Sequence, residues 1–116
     1  MGTNFVDPTG VQLLRVEIIA RVGDRTARQG FEAYEPAVGL PDYRRLNLVD
    51  VPGVGESAVD WSFTFRGAGG LQQVADRMIV QRSAAIAVYY RTLQRDFERL
   101  APIWRYAVDR LVIEPD

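Results

Sequence analysis

The sequence predicts an α+β fold, with a single antiparallel sheet of about five to six strands packed by one helix in the N-terminal half and another at the C-terminus. Three observations lead there. The run Asp60-Trp61-Ser62-Phe63-Thr64-Phe65 alternates aromatic with short polar residues, the period-two signature of a strand with one buried face. The segment from Val11 to Arg21 is rich in β-branched residues, which suit a pleated surface. Phe97, Leu100, Trp104, Val108 and Leu111 recur at helical spacing and make one apolar stripe. The residues from Val59 to Thr92 read as a three-strand meander around which the chain is organised, its aromatic face sealed against the terminal helix.

The chain has 116 residues, 47% hydrophobic and 25% charged, which suits one domain with one core. It could be a fragment lacking an N-terminal hairpin. The net charge is −1, so there is no field to hold a nucleic-acid backbone or an anionic membrane, and no nucleic-acid partner is expected. All fourteen basic residues are Arg, a bias ascribed to a GC-rich genome. Cys and His are both lacking, which removes disulfides, thiolate and imidazole chemistry and most transition-metal ligation. No cofactor, metal site or catalytic residue is assigned. No apolar run reaches the roughly 18 residues of a spanning helix, so no membrane segment is expected within the chain, nor is there a signal peptide.

Along the chain, Thr3 to Val6 is a short strand closed by the turn Asp7-Pro8-Thr9-Gly10, so Phe5 and the following strand form a hairpin. In that strand Leu14, Val16 and Ile18 share a face and are expected in the core. Thr26 is a helix N-cap for a segment running to about Glu35, with Ala27, Phe31 and Tyr34 on one stripe and Pro36 as terminator. Tyr43 to Val51 alternates again, with Leu46, Leu48 and Asp50 opposed to Arg45, Asn47, Val49 and Val51. Gly53-x-Gly55 has half the spacing of a dinucleotide fingerprint without the rest, and reads as a turn.

The connection Gly67-Ala68-Gly69-Gly70 sets the register of the meander by placing Arg66 opposite Leu71. Asp60 then faces Arg77 as a cross-strand ion pair, Ser62 faces Ala75, Phe63 faces Val74 and Asp76 faces Trp61. A carboxylate on the aromatic face needs a donor. The indole N–H is one candidate, but the favoured expectation for Asp76 is a solvated position at the sheet rim. In the next strand Ile86, Val88 and Tyr90 share one face and Ala85, Ala87 and Tyr89 the other, the small residues leaving room for a covering helix or a ligand. Pro102 divides the last element into a short turn around Asp96 to Leu100 and a main helix from about Ala101 to Leu111. Val112 to Pro115 is an extended tail.

In order, Phe5-Val6-Asp7-Pro8-Thr9-Gly10, Leu13-Leu14-Arg15-Val16, Tyr34-Glu35-Pro36, Tyr43-Arg44-Arg45, Asp60-Trp61-Ser62-Phe63-Thr64-Phe65, Asp76-Arg77, Ile86-Ala87-Val88-Tyr89-Tyr90 and the closing helical stripe resemble the C-terminal domain attached to many actinobacterial Ser/Thr protein kinases. That domain is similar to the Mog1/PsbP-like fold, which includes mycobacterial LpqN-type lipoproteins. The resemblance covers nearly the whole chain, and Asp-Trp-x-Phe-Thr-Phe is its most specific part. It implies a non-catalytic sensor or protein-interaction module on the extracytoplasmic side of the cell, with the cytoplasm left open, and it carries over no catalytic residues. Family members usually have a further hairpin before the segment starting here at Phe5. Without it a sheet edge is bare, and bare edges recruit strands, so a homodimer through that edge is one expectation.

Two further functions compete. A small-molecule binding protein would hold its ligand between the sheet and the C-terminal helix, among Trp61, Tyr89, Tyr90 and Trp104. An enzyme would use Asp60 or Asp76 with Tyr89 or Arg77, though no convergent acids are recognisable. The residues singled out for contact with a ligand or protein partner are therefore Trp61, Tyr89, Tyr90, Trp104, Asp60 and Arg77.

Overall fold

A computed structural model describes residues 2–6, 12–20, 23, 25–67, 69–82 and 84–109. The expected turn at Asp7 to Gly10, the tail from Val112 to Pro115, and Ala68, Ser83 and Leu111 lie outside the described residues. One antiparallel sheet runs in the order β1 (Gly2–Val6), β2 (Leu13–Ala20), β6 (Ala84–Leu93), β5 (Gly70–Gln81), β4 (Ser57–Gly67), β3 (Arg44–Asp50). The helices are α1 (Ala27–Tyr34), continued by a 3-10 turn over Glu35–Ala37, and α2 (Gln94–Asp109).

The expected register of the meander is the observed one: Arg66 faces Leu71, Asp60 faces Arg77, Trp61 faces Asp76 and Phe63 faces Val74. The ladder continues to Gly67 opposite Gly70, so the loop itself is only two residues. Phe5 faces Leu14, completing the N-terminal hairpin.

Directly opposed residues share a face, so these registers define two surfaces. The first carries Leu48, Val59, Trp61, Phe63, Phe65, Val74, Asp76, Ala85, Ala87, Tyr89, Arg15 and Glu17. The second carries Asp60, Arg77, Ile79, Ile86, Val88, Tyr90, Leu14, Val16 and Ile18.

The helices take opposite surfaces. Thr26 caps α1 in a full capping box, its Oγ1 accepting from the Gln29 N–H at 3.2 Å while Gln29 Oε1 accepts from the Thr26 N–H at 2.9 Å. The Ala27 N–H donates to Ser57 Oγ at 2.8 Å and ties the start of α1 to the start of β4. Ala27 and Phe31 are buried, and Phe31 meets Trp61 edge-on at 4.7 Å between ring centroids. The aromatic face is therefore sealed by α1 and by Val38, Leu40 and Tyr43 after it, and not by the terminal helix as expected. Tyr34 is 55% exposed despite its place on the helical stripe.

α2 lies on the second surface, with Phe97 against Tyr90 at 6.0 Å and Ala101 and Val108 buried. It is one continuous helix containing Pro102, a correction to the expected break. Anchors on both sides of the proline, Phe97 before it and Val108 after it, hold the helix to the sheet while Pro102 itself is exposed.

Of the residues of β2 expected in the core, Leu14 and Val16 are half-buried and Ile18 is 50% exposed, because α2 packs mainly on β5 and β6. Leu46 is 44% exposed, because a bulge between Arg45 and Asn47 breaks the alternation. After the bulge Leu48, opposite Trp61, faces the core.

Candidate functional site

The ion pair Asp60–Arg77 forms on the second surface, with Arg77 Nε donating to Asp60 Oδ1 at 2.7 Å and Nη2 to Oδ2 at 2.9 Å. Arg77 also lies 5.6 Å from the centre of the Trp104 ring, a cation–π contact. The indole N–H of Trp104 donates to the Val88 carbonyl at 3.2 Å. Tyr90 is fully buried, its hydroxyl accepting from Gln12 Nε2 at 3.3 Å. Asp60, Arg77 and Trp104 thus form one cluster, and Tyr90 shares their face of the sheet.

Trp61 and Tyr89 do not join them. Neighbouring residues in a strand point to opposite faces, so Tyr89 and Tyr90 cannot line one cavity, and Trp61 is on the side of Tyr89. The expected pocket of four aromatic residues is thus not formed. The cavity on the α2 side is elsewhere: about 360 Å³, lined by Gly53, Val54, Gly55, Arg77, Ile79, Val108 and Asp109.

On the first surface the unexpected residue is Asp76. It is only 8% exposed, where a solvated rim position was expected. The Trp61 N–H does not serve it, because that group donates to the Tyr43 hydroxyl at 3.1 Å. Tyr43 in turn donates to Glu35 Oε2 at 2.5 Å, and Arg45 grips the same carboxylate through Nη2 at 3.0 Å. Burial, then the hydrogen bond to Glu35, pushes the Tyr43 hydroxyl up to about 12. Asp76 Oδ1 is buried and has no hydrogen-bond partner among the described residues. Burial pushes its carboxyl up to about 7, with the negative charges of Asp60 and Glu17 acting in the same direction. Burial likewise raises Tyr89, which faces Asp76 across the ladder.

α1 packs on β4 and β5, so among the described residues the β6–β2 half of this face has no helix centred on it. Ala85, Ala87 and Tyr89 are half-buried there, and Arg15 is exposed. The small residues do not lie under the expected covering helix.

This architecture has precedents among solved structures. The chain aligns over its full length, and over 85% of the other, with PA94 of Pseudomonas aeruginosa, a protein of unknown function described as a candidate regulator, at a TM-score of 0.78 and 19% identity. It aligns over 98% of its length with cyanobacterial PsbP (CyanoP) of Synechocystis, covering 81% of that chain at a TM-score of 0.65 and 11% identity. The fold is PsbP-like. No protein-family model and no curated protein matches the chain.

Within this PsbP-like sheet, sequence reasoning singled out one cluster of the α2 side correctly as a pair, Asp60 with Arg77, and missed the environment of Asp76. The row Trp61, Asp76, Tyr89 follows from the two ladder registers, and both could be counted from the sequence. Tyr34, whose ring centroid stands 6.1 Å from that of Trp61, had no sequence signal tying it to the row.

Proposed function

We propose that this chain is a non-catalytic protein-interaction or sensor module that works through the open half of its first sheet face, on the extracytoplasmic side of the cell. The observation that carries the reading is the patch of Ala85, Ala87 and Tyr89 on β6 beside Arg15 and Glu17 on β2: a half-buried aromatic residue flanked by small ones, with charge at its rim, and aromatic residues within a polar rim are what partner-binding surfaces favour. The sequence resemblance to kinase-attached domains supplies the context of a tethered sensor. Chemistry is not part of the reading, because Asp60 is held by Arg77 and the residues opposite Asp76 in its two ladders are the aromatic Trp61 and Tyr89. A photo-reactive residue placed at Ala87 should give a discrete cross-linked species in the native host, while the same residue at exposed Val49 should not. Equal labelling at both positions rules the surface out, and recovery of the protein solely from the cytoplasmic fraction rules out the location.

The reading also includes a second copy of the chain pairing along the outer side of β1, which no other described strand takes. That strand and β3 are the sheet edges.

A second reading has its own observation, the 360 Å³ cavity between the Gly53–Gly55 turn, β5 and α2. Its lining, apolar at Val54, Ile79 and Val108 and charged at Arg77 and Asp109, suits a small amphipathic ligand. A saturable change in Trp104 fluorescence on screening small metabolites would favour it over the protein-partner reading.

A further inference from the structure

A buried carboxylate oxygen without a donor costs of the order of 1–3 kcal/mol, more if it is charged, and no hydrogen bond among the described residues offsets that for Asp76 Oδ1. Its surroundings have a distinct chemistry. Trp61 faces it from β4 and Tyr89 from β6. Tyr34 reaches over from α1, its ring edge-on to Trp61 at 6.1 Å between centroids. Tyr34 is 55% exposed, so its ring meets solvent beside Trp61. Glu17 adds negative charge from β2 on the same face, its own exposed carboxylate 3.4 Å from Arg15 Nε.

We propose that Asp76, with the rings of Trp61, Tyr34 and Tyr89, forms a receptor for an organic cation, the guanidinium or ammonium group of a side chain on a protein partner entering between Tyr34 and Tyr89. This rests on the reading of the same face as an interaction surface. The carboxylate supplies the charge-assisted acceptor, and the rings supply cation–π attraction in a partly desolvated site. A hard metal ion fits less well, since it needs several oxygen ligands and the described residues hold no group of three carboxylates that could share one.

The test is an NMR titration of the full chain with N-acetyl-arginine methylamide and N-acetyl-lysine methylamide, with tetramethylammonium chloride as the free-cation arm and sodium chloride as the salt control. The groups on the face of Asp76 that must be followed are Glu17 and Arg15 from β2, Tyr89 and Arg91 from β6 and Tyr34 from α1, together with Asp60 on the opposite face, whose charge also acts on it. The expected result is a saturable shift of the Asp76 carboxyl and of the Tyr34 and Tyr89 rings with at least one amide, together with a fall of about one unit or more in the Asp76 titration midpoint. Asp76→Asn should weaken the response at least ten-fold. Tyr34→Ala should weaken it several-fold while leaving the denaturation midpoint nearly unchanged. A response no larger than that to sodium chloride overturns the proposal, as does one that persists in Asp76→Asn, or one confined to tetramethylammonium. Because this readout needs no partner, it stands or falls separately from cross-linking at Ala87.

Discussion

At the scale of single residues, Asp76 makes the stability of the protein depend on pH in a direction opposite to that of most carboxylates. Its carboxyl is pushed up to about 7 by burial and by the charges of Asp60 and Glu17, so the folded chain keeps a proton that the unfolded chain releases near pH 4. Stability contributed by this group is fully present below that lower value, and is lost as pH rises towards 7, at up to about 1.4 kcal/mol per unit. Asp76→Asn removes the slope. Urea denaturation should show the variant more stable than wild type at pH 8 by about 2–4 kcal/mol, with the difference shrinking towards zero near pH 4. A constant difference across that range would contradict the assignment. Legibility from sequence divides at neighbouring residues here. Arg77 was legible because a short Gly-rich loop fixes register, and register places it opposite Asp60. The burial of Asp76 was not, because it depends on which face α1 covers, and that is decided by contacts between Phe31 and Trp61, thirty residues apart in sequence.

Among elements, the two places where local rules were overridden give two predictions. Pro102 sits inside α2, where a proline removes a backbone hydrogen bond and crowds the preceding turn, at about 3 kcal/mol. The stripe of Phe97, Ala101, Trp104 and Val108 on the sheet outweighs that cost and keeps the helix whole. Pro102→Ala should therefore raise stability by roughly 1–3 kcal/mol, part of the gain being offset by the freer unfolded chain, as read from guanidinium denaturation. Gly55 in the β3–β4 turn is the converse case, with φ at +56° and a Cβ at that position falling 2.8 Å from both Ile79 Cγ2 and the Val80 carbonyl oxygen. The left-handed backbone and the close approach both exclude a side chain. Gly55→Ala should cost about 1–3 kcal/mol and should abolish any ligand response at the Arg77 cavity, since that turn lines it. The paired glycines were readable as a turn, but the approach of β5 behind them was not. The β3 bulge was hidden for a similar reason, as Leu46 and Leu48 look alike until the pairing with β4 is known.

For the molecule as a whole, strand order sets a gradient of protection against hydrogen exchange. β4, β5 and β6 are flanked on both sides and covered by a helix on at least one face, whereas β1 and β3 are edges. Their amides should exchange slowest in the central strands, through global unfolding, and fastest at the edges, through local opening. The edges differ from each other. β3 carries a bulge and the charged Arg44, Arg45 and Asp50, with Arg45 drawn to Glu35, devices that discourage pairing with another sheet. β1, Gly-Thr-Asn-Phe-Val, has no charge and no proline along its length. If a second copy joins the sheet, it joins there, and the outward amides of residues 2–6 become protected as protein concentration rises while those of β3 stay unchanged. Exchange measured at two concentrations a hundred-fold apart, alongside mass from light scattering, reads this directly. Amides of β1 that remain equally fast at both concentrations, with a monomer mass throughout, would eliminate self-pairing and leave the Ala87 face as the surface through which the molecule acts.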